Sequence, residues 1–159
     1  MAKSVSGHYE EYYREKLEQG LQFEDFVSEL LYKEGFPIVS FVSSAYQRKC
    51  GENKIGIEIK FDTRFKDTGN LFIETAEKSS PINKFHYPSG IYRKDNTWLY
   101  AIGDYSVVYL FSKKYLQLMR KNYKEIVMAT SKGYLLPRAD ANKYAIRIFT
   151  CNHHRRVDH

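Results

Sequence analysis

The sequence has few of the residues that build disulfide frameworks, and it has no long hydrophobic run. Only two of its 159 residues are cysteines, Cys50 and Cys151. Two cysteines are too few for a disulfide scaffold, so we interpret them as free thiols in a reducing compartment. No apolar run approaches the length of about 18 residues that a membrane-spanning helix needs, and the first residues carry no apolar signal region. The sequence therefore predicts a soluble, cytoplasmic protein with no membrane partner.

Several common catalytic and binding motifs are also missing. The sequence has no glycine-rich phosphate loop, no zinc-ligand spacing of cysteine and histidine, and no Ser-His-Asp arrangement. It contains no internal repeat and no low-complexity tract. Chemistry in this chain therefore has to come from carboxylates and cationic side chains.

What the chain does have is a hydrophobic, aromatic and basic composition. Hydrophobic residues make up 43%, and there are 14 tyrosines and 10 phenylalanines, which favours a folded domain with strands. At 159 residues, one domain with a sizeable core is expected. The net charge of +6 favours a polyanionic partner, and we expect nucleic acid. A homodimer is compatible with this composition.

Local patterns predict the organisation of the chain. We expect a polar lead-in over residues 1–20, with Gly20 ending a first charged helix. One domain should span residues 21–151, followed by a flexible tail over 152–159. An apolar stripe predicts a helix over Leu21–Glu34.

Alternating and apolar runs predict the remaining elements. The expected strands and helices are a strand over Phe36–Arg48, a hairpin of Trp98–Ile102 with Val107–Phe111, a helix over Lys113–Tyr123, a loop over Gly133–Asp140 and a last strand over Lys143–Cys151. The stretch Glu125–Ala129 fits either a continuation of the helix or a short strand. This order of elements predicts an α/β (α+β) domain with a mixed central β-sheet flanked by α-helices.

The segment Glu52–Lys78 carries the candidate site. Its pattern predicts a strand over Ile55–Asp62, a polar loop, and a second strand from Leu71. Folding this hairpin about its middle places Glu58 opposite Glu74, with Cβ atoms about 5 Å apart. Two like charges directly opposite each other are destabilising unless a cation lies between them, and a divalent metal suits carboxylate oxygens.

Two carboxylates on adjacent strands with a lysine nearby resemble the core of the PD-(D/E)XK nuclease superfamily, over about residues 21–118. The resemblance implies a restriction-endonuclease-like core in which Glu58 and Glu74 bind Mg²⁺ (or Mn²⁺). It implies a lysine that positions the attacking water. Glu24 on the first helix matches a glutamate that often reaches the metal in that superfamily. Its alternative role is that of an acid favoured by the helix dipole.

The lysine departs from the superfamily pattern, because the position two residues after the second acid is Ala76. Lys60 lies about 7 Å along the strand from the first acid, and Lys78 lies about 13 Å along the strand from the second. We favour Lys78 slightly, because it follows the second acid. A different register takes Glu58-Ile59-Lys60 as the E-x-K motif and Glu52 as the first acid, with only five residues between the two acids.

Basic and aromatic residues alternate in the loop that follows, Ser79–Lys94. Lys84, His86, Arg93 and Lys94 are the candidates for contacts to nucleic acid. Cations can bind phosphates and aromatic rings can stack on bases, so the composition suits a loop that binds a strand of nucleic acid. An ordinary solvated connection would look similar in sequence.

The function expected from the resemblance is a metal-dependent endonuclease that hydrolyses phosphodiester bonds of nucleic acid, with DNA as the favoured substrate. One alternative is a non-catalytic module on a degenerate nuclease fold, which binds nucleic acid or protein and has lost its lysine at Ala76. Another is a small structural or toxin-neutralising partner with no role in nucleic-acid chemistry. These alternatives differ in whether the carboxylates form a working site.

Overall fold

Two four-stranded sheets and a long first helix carry the fold. The computed structural model describes residues 5–36 and 44–151. Its elements are α1 (Val5–Lys33), α2 (Ser44–Cys50), β1 (Ile57–Phe61), α3 (Phe65–Thr68), β2 (Asn70–Glu77), β3 (Tyr87–Pro88), β4 (Leu99–Gly103), β5 (Val107–Ser112), α4 (Lys113–Met119), β6 (Glu125–Val127), β7 (Ser131–Pro137), α5 (Arg138–Tyr144) and β8 (Arg147–Thr150). The fold is therefore mixed α and β, as the sequence predicts.

The first sheet is mixed and packs one face on α1. Its strand order is β1-β4-β5-β8, with β1 parallel to β4 and the other pairs antiparallel. The apolar stripe of α1 supplies Phe23, Val27 and Leu31, which pack against Ile57 and Ile59 of β1. Each buried side chain of this size stabilises the fold by about 1.5–3 kcal/mol. This packing fixes β1, which carries Glu58 and Lys60, beneath the helix.

The second sheet is antiparallel, with the order β3-β2-β7-β6. It packs on the other face of the first sheet. The core between the sheets is formed by these side chains: Leu71, Ile73, Tyr134 and Leu136 of the second sheet, and Tyr100, Ile102, Tyr109 and Phe111 of the first. The single central sheet expected from sequence is therefore replaced by two sheets.

The predicted hairpin between the two acidic strands is wrong. β1 pairs with β4, whereas β2 pairs with β7 and β3. The connecting segment forms α3 and ends at Gly69, whose φ is 68°. Asp62 Oδ2 then accepts the N–H of Phe72 at 2.8 Å, which leads the chain into the second sheet. Glu58 and Glu74 are therefore not cross-strand neighbours.

Two further expectations are wrong, because in each case packing outweighs the preference of a single glycine for a helix end or a loop. Gly20 does not end a helix, since α1 continues through it to Lys33. A glycine inside a helix costs only about 1 kcal/mol, which burial of the apolar stripe exceeds. Gly133 does not mark a loop. A Cβ there would lie 2.2 Å from the carbonyl oxygen of Ile73, so the glycine allows β7 to approach β2 closely.

Other expectations are confirmed or corrected in part. The hairpin β4–β5 forms as predicted, and the helix predicted over Lys113–Tyr123 is α4 with a short helical turn, Arg120–Asn122. The strand predicted over Phe36–Arg48 is wrong from residue 44, where α2 begins. Residues 37–43 and the tail 152–159 lie outside the described residues. Within the described part of the chain, no helix is both long enough and apolar enough to cross a membrane.

Candidate active site

Four glutamates from four different segments surround Lys60. Glu24 comes from α1, Glu52 from the turn before β1, Glu58 from β1 and Glu74 from β2. The charge of Lys60 acts on the pKa of Glu24, Glu52 and Glu74, and the Glu58 carboxylate is its direct partner. We call these four residues the carboxylate cluster.

Glu58 and Lys60 form the centre of the cluster. The Lys60 ammonium lies 2.7 Å from Glu58 Oε1, and only 3% of the Glu58 side chain is exposed. Burial lowers the pKa of Lys60, but Glu58, helped by Glu52 and Glu74, raises it overall, so the lysine stays cationic. A carboxylate this buried needs such a partner, because an unpaired charge in a protein interior is costly.

Glu74 is held in place by two residues that follow β3. Ser89 Oγ donates a hydrogen bond of 2.8 Å to Glu74 Oε1. Gly90, with φ at 52°, packs on the backbone of Glu74, where a Cβ would lie 2.2 Å from the Glu74 carbonyl oxygen. A register shift between Glu74 and Ala76 breaks the β2–β7 pairing at the same point. Burial raises the pKa of Glu74, and Ser89 and Lys60 offset part of that rise.

A tight turn before β1 positions Glu52. Asn53 is buried, and its Oδ1 accepts the N–H groups of Gly56 and Ile57 at 2.9 and 3.0 Å. Its Nδ2 donates to the Ile57 carbonyl at 2.6 Å. Gly51, with φ at 106°, and Gly56, with φ at 79°, supply the backbone geometry that the turn requires. The turn thus places Glu52 in the carboxylate cluster.

Burial makes carboxylates of the cluster costly to ionise, even with Lys60 beside them. Burial raises the pKa of Glu52 to about 8, and the neighbouring Glu58 adds to that rise. Burial also raises the pKa of Glu24, where Lys60 opposes the rise and Glu58 adds to it. Carboxylates with raised pKa values indicate a site that would gain from a further cation.

We expect Glu52→Gln to stabilise the metal-free protein at pH 7.5 by up to about 4 kcal/mol more than at pH 4.5, since each pKa unit between these values is worth about 1.4 kcal/mol. The pKa of Glu52 rises on folding from 4.5 to about 8. Between those values the unfolded chain is ionised and the folded chain binds a proton. The stability that the protonated Glu52 contributes is therefore complete below pH 4.5 and is lost as the pH rises through about 8.

The measurement is urea unfolding of wild type and Glu52→Gln in EDTA from pH 4.5 to pH 8. The stability difference should be smallest at the acidic end and should grow with pH. Glu77→Gln, an exposed change on β2, is the matched control and should give no such trend. A stability difference for Glu52→Gln that does not depend on pH would contradict the burial of Glu52 in the cluster.

Two cavities open on either side of Lys60. One, of about 250 Å³, is lined by Lys60, Glu74 and Arg64, and the other, of about 230 Å³, by Lys60, Glu52 and Lys16. Carboxylates thus lie beside cations from α1 and from the turn after β1. Sequence analysis gave Glu52 a role only in the alternative register and missed these flanking cations, because their approach to the cluster depends on the tertiary fold.

The structure places Lys78, the favoured lysine from sequence, in a different role. Its ammonium donates to the carbonyl oxygens of Pro81 at 3.0 Å and Asn83 at 2.9 Å. It thereby organises the loop after β2. Lys60, in contrast, lies directly against Glu58.

The predicted contacts to nucleic acid fall into two groups. Lys84 and Lys94 are exposed. Arg93 is partly buried, and its Nε lies 3.6 Å from Asp95. Nε2 of His86 is buried and has no hydrogen-bond partner among the described residues. Burial and the nearby cations lower the pKa of this histidine, which favours its neutral form.

The donor set suits a hard divalent ion that keeps most of its water. Within residues 5–36 and 44–151, no three Asp, Glu, His or Cys side chains converge as a ready-made metal site. Mg²⁺, however, is commonly held by one or two carboxylates, several waters and substrate phosphates. Lys60 contacts Oε1 of Glu58, and Ser89 donates to Oε1 of Glu74. Carboxylate oxygens are the ligands that such an ion prefers, so Glu58 and Glu74 are the residues that could hold one.

The chain was compared with protein-family models, with curated proteins and with solved structures, and none of the three comparisons found a match. Its function therefore has to be inferred from the carboxylate cluster and the surfaces around it.

Proposed function

We propose that this protein is a metal-dependent nuclease that hydrolyses phosphodiester bonds, with DNA as the favoured substrate and a site of the PD-(D/E)XK kind. The observation that carries the proposal is the carboxylate cluster. Glu58 and Glu74, from different sheets, share the neighbourhood of one lysine, Lys60, beside open cavities. A buried excess of carboxylates costs stability, and such costs concentrate at functional sites.

Glu58 and Glu74 would hold the ion, Mg²⁺ or Mn²⁺. Such an ion polarises a phosphoryl oxygen and lowers the pKa of a bound water. Glu24 and Glu52 complete the carboxylate cluster and would accept protons or orient water, which suits their raised pKa values. The neighbouring cations Lys16 and Arg64 suit contacts to the backbone of the substrate.

Lys60 is our candidate for the catalytic lysine. It is cationic, it lines both cavities, and 44% of its side chain is exposed. An ammonium in this position can orient the attacking water or stabilise the charge that develops on the phosphate. Together with Glu58 it forms the literal E-x-K spacing, which the alternative sequence register anticipates.

A second candidate is a non-catalytic nucleic-acid-binding module. The observation that favours it is the Glu58–Lys60 ion pair, which already gives the buried carboxylate a partner. In that case the cluster would be structural, and the surrounding cations would still bind phosphates.

A cleavage assay separates the two candidates. Supercoiled plasmid, linear duplex and single-stranded DNA are incubated with the protein in Mg²⁺, Mn²⁺ or EDTA. A nuclease should cut in the presence of a divalent ion, and EDTA should abolish the cleavage. The matched inactive control is Glu58→Gln, which keeps the shape of the side chain.

Binding is measured in parallel, in EDTA. For either candidate, affinity for duplex should fall by about 0.9 log unit per log unit of salt for each phosphate contacted. Salt-dependent binding with no cleavage in either metal would contradict the nuclease and leave the non-catalytic module as the remaining candidate. Absence of both binding and cleavage would contradict both candidates.

A further inference from the structure

The loop over residues 79–88 exposes large apolar side chains beside the candidate active site. Ile82 is 89% exposed, Phe85 75% and Tyr87 68%. Single exposed apolar residues are common, but several on one short loop indicate a surface that contacts a ligand. We call this segment the 79–88 loop.

Internal hydrogen bonds give the loop a fixed shape. Lys78 donates to the carbonyl oxygens of Pro81 and Asn83, and the Asn83 side chain donates to Ser79 Oγ at 2.6 Å. A further backbone bond joins the Asn83 N–H to the Ser80 carbonyl at 3.0 Å. A loop organised in this way displays its apolar side chains without collapsing over them, which lowers the entropic cost of binding.

The loop is tied directly to the carboxylate cluster. Its last two residues form β3, which pairs with β2 at Ala76 and Glu77. The next residue, Ser89, donates to Glu74. Phe85 and Ser89 are four residues apart, so their Cα atoms are separated by at most about 14 Å. That distance spans about four nucleotides of a stacked strand at 3.4 Å each.

Cations surround the same loop. Lys84 is exposed on it, and Lys78 and Lys132 are close enough to His86 to lower its pKa. A surface that combines cations with exposed apolar side chains matches a ligand with phosphates and accessible base faces. Bases in a duplex are stacked on each other, so their faces are available only where the strand is single or locally unpaired.

We propose that the 79–88 loop stacks Phe85 on an unpaired base, with Ile82 as an apolar contact beside it, and that the substrate of this site is single-stranded or locally unpaired nucleic acid. The inference rests on the proposed function for the cleavage step, but the binding that it describes can be tested alone. Stacking of one base on an aromatic side chain is worth enough to change affinity measurably.

The test measures fluorescence anisotropy of labelled oligonucleotides in EDTA, where no cleavage occurs. The probes are a single strand, its duplex, and a strand of equal length and charge in which abasic sites replace the bases. Wild type should bind the single strand at least about tenfold more tightly than the abasic strand, the energy of stacking one or two bases. Phe85→Ala should remove most of that preference, while its affinity for the abasic strand stays at the wild-type level.

Matched variants separate stacking from folding. Phe85→Trp keeps an aromatic face and should retain the preference, whereas Phe85→Leu should lose most of it. Ile146→Ala, at another exposed aliphatic position (60% exposed), should behave as wild type. Equal wild-type affinity for the base-containing and abasic strands would overturn the proposal, and so would a Phe85→Ala variant that keeps the preference.

The outcomes also distinguish this inference from the nuclease proposal. Base-dependent binding through Phe85 with no cleavage in Mg²⁺ or Mn²⁺ supports the loop inference and contradicts the nuclease. Metal-dependent cleavage of single strand and duplex at equal rates, unchanged in Phe85→Ala, supports the nuclease and overturns the loop inference.

Discussion

Glu74→Gln should abolish metal-dependent cleavage and leave the metal-free protein at least as stable as the wild type. The glutamine keeps the shape of the side chain and can still accept the hydrogen bond of Ser89. It removes a carboxylate whose pKa burial raises, so it also removes repulsion from Glu58. Loss of one of the two carboxylates that we propose as ligands should cost the site its ion and lower the cleavage rate by about a hundredfold or more.

A thermal melt gives this prediction a readout besides activity. An ion that binds only the folded state stabilises it by about 2.7 kcal/mol at a hundredfold excess over its Kd. Millimolar Mn²⁺ should therefore raise the Tm of wild type and of Glu77→Gln, but leave the Tm of Glu74→Gln unchanged. A wild-type Tm that does not change when Mn²⁺ or Mg²⁺ is added would contradict a metal site at Glu58 and Glu74.

Short-range sequence patterns correctly predicted those helices and strands for which a single hydrophobic pattern dominates the segment. The apolar runs of β4 and β5 and the turn between them predicted a hairpin, and the structure has it. The stripe of Phe23, Val27 and Leu31 predicted a buried helix face. In both cases the pattern and the packing agree, because the face that the pattern makes apolar is the face that the fold buries.

Strand pairing could not be predicted in the same way. The sequence shows that β1 and β2 are strands, but it does not show that β1 takes β4 as its parallel partner. The same two glutamates nevertheless flank Lys60, because the two sheets pack face to face and β1 and β2 contribute to that interface. The residues were predicted, while the geometry that joins them was not.

The position of Glu52 near Lys60 also could not be predicted from the sequence. In sequence it is an acid in a turn, next to Gly51, and only the alternative register gave it a role. The side chain of the buried Asn53 shapes the turn, because it accepts the N–H groups of Gly56 and Ile57 and donates to the Ile57 carbonyl. Hydrogen bonds of this kind leave no periodic pattern in the sequence. A glycine on each side of a polar turn before a strand is the one feature that could have pointed to it.

Lys60→Met should have the second large effect, on both rate and stability. It removes the partner of a carboxylate that is 3% exposed, and breaking a buried pair in this way costs several kcal/mol. We expect about 3 kcal/mol, because water already screens an exposed part of the lysine. The cleavage rate should fall by about a hundredfold or more, since the variant lacks the ammonium that we propose acts on the reacting phosphate.

The double variant Glu58→Gln/Lys60→Met separates structure from catalysis. It removes both charges, so it should recover most of the stability lost by Lys60→Met, while cleavage stays absent. Lys78→Met is the matched control, because its ammonium binds loop carbonyls, and it should keep kcat while weakening substrate binding. If Lys60→Met is destabilised as expected but still cleaves at the wild-type rate, Lys60 serves only to neutralise Glu58. If Lys78→Met loses kcat as well, the lysine after the second acid takes the role that we assign to Lys60.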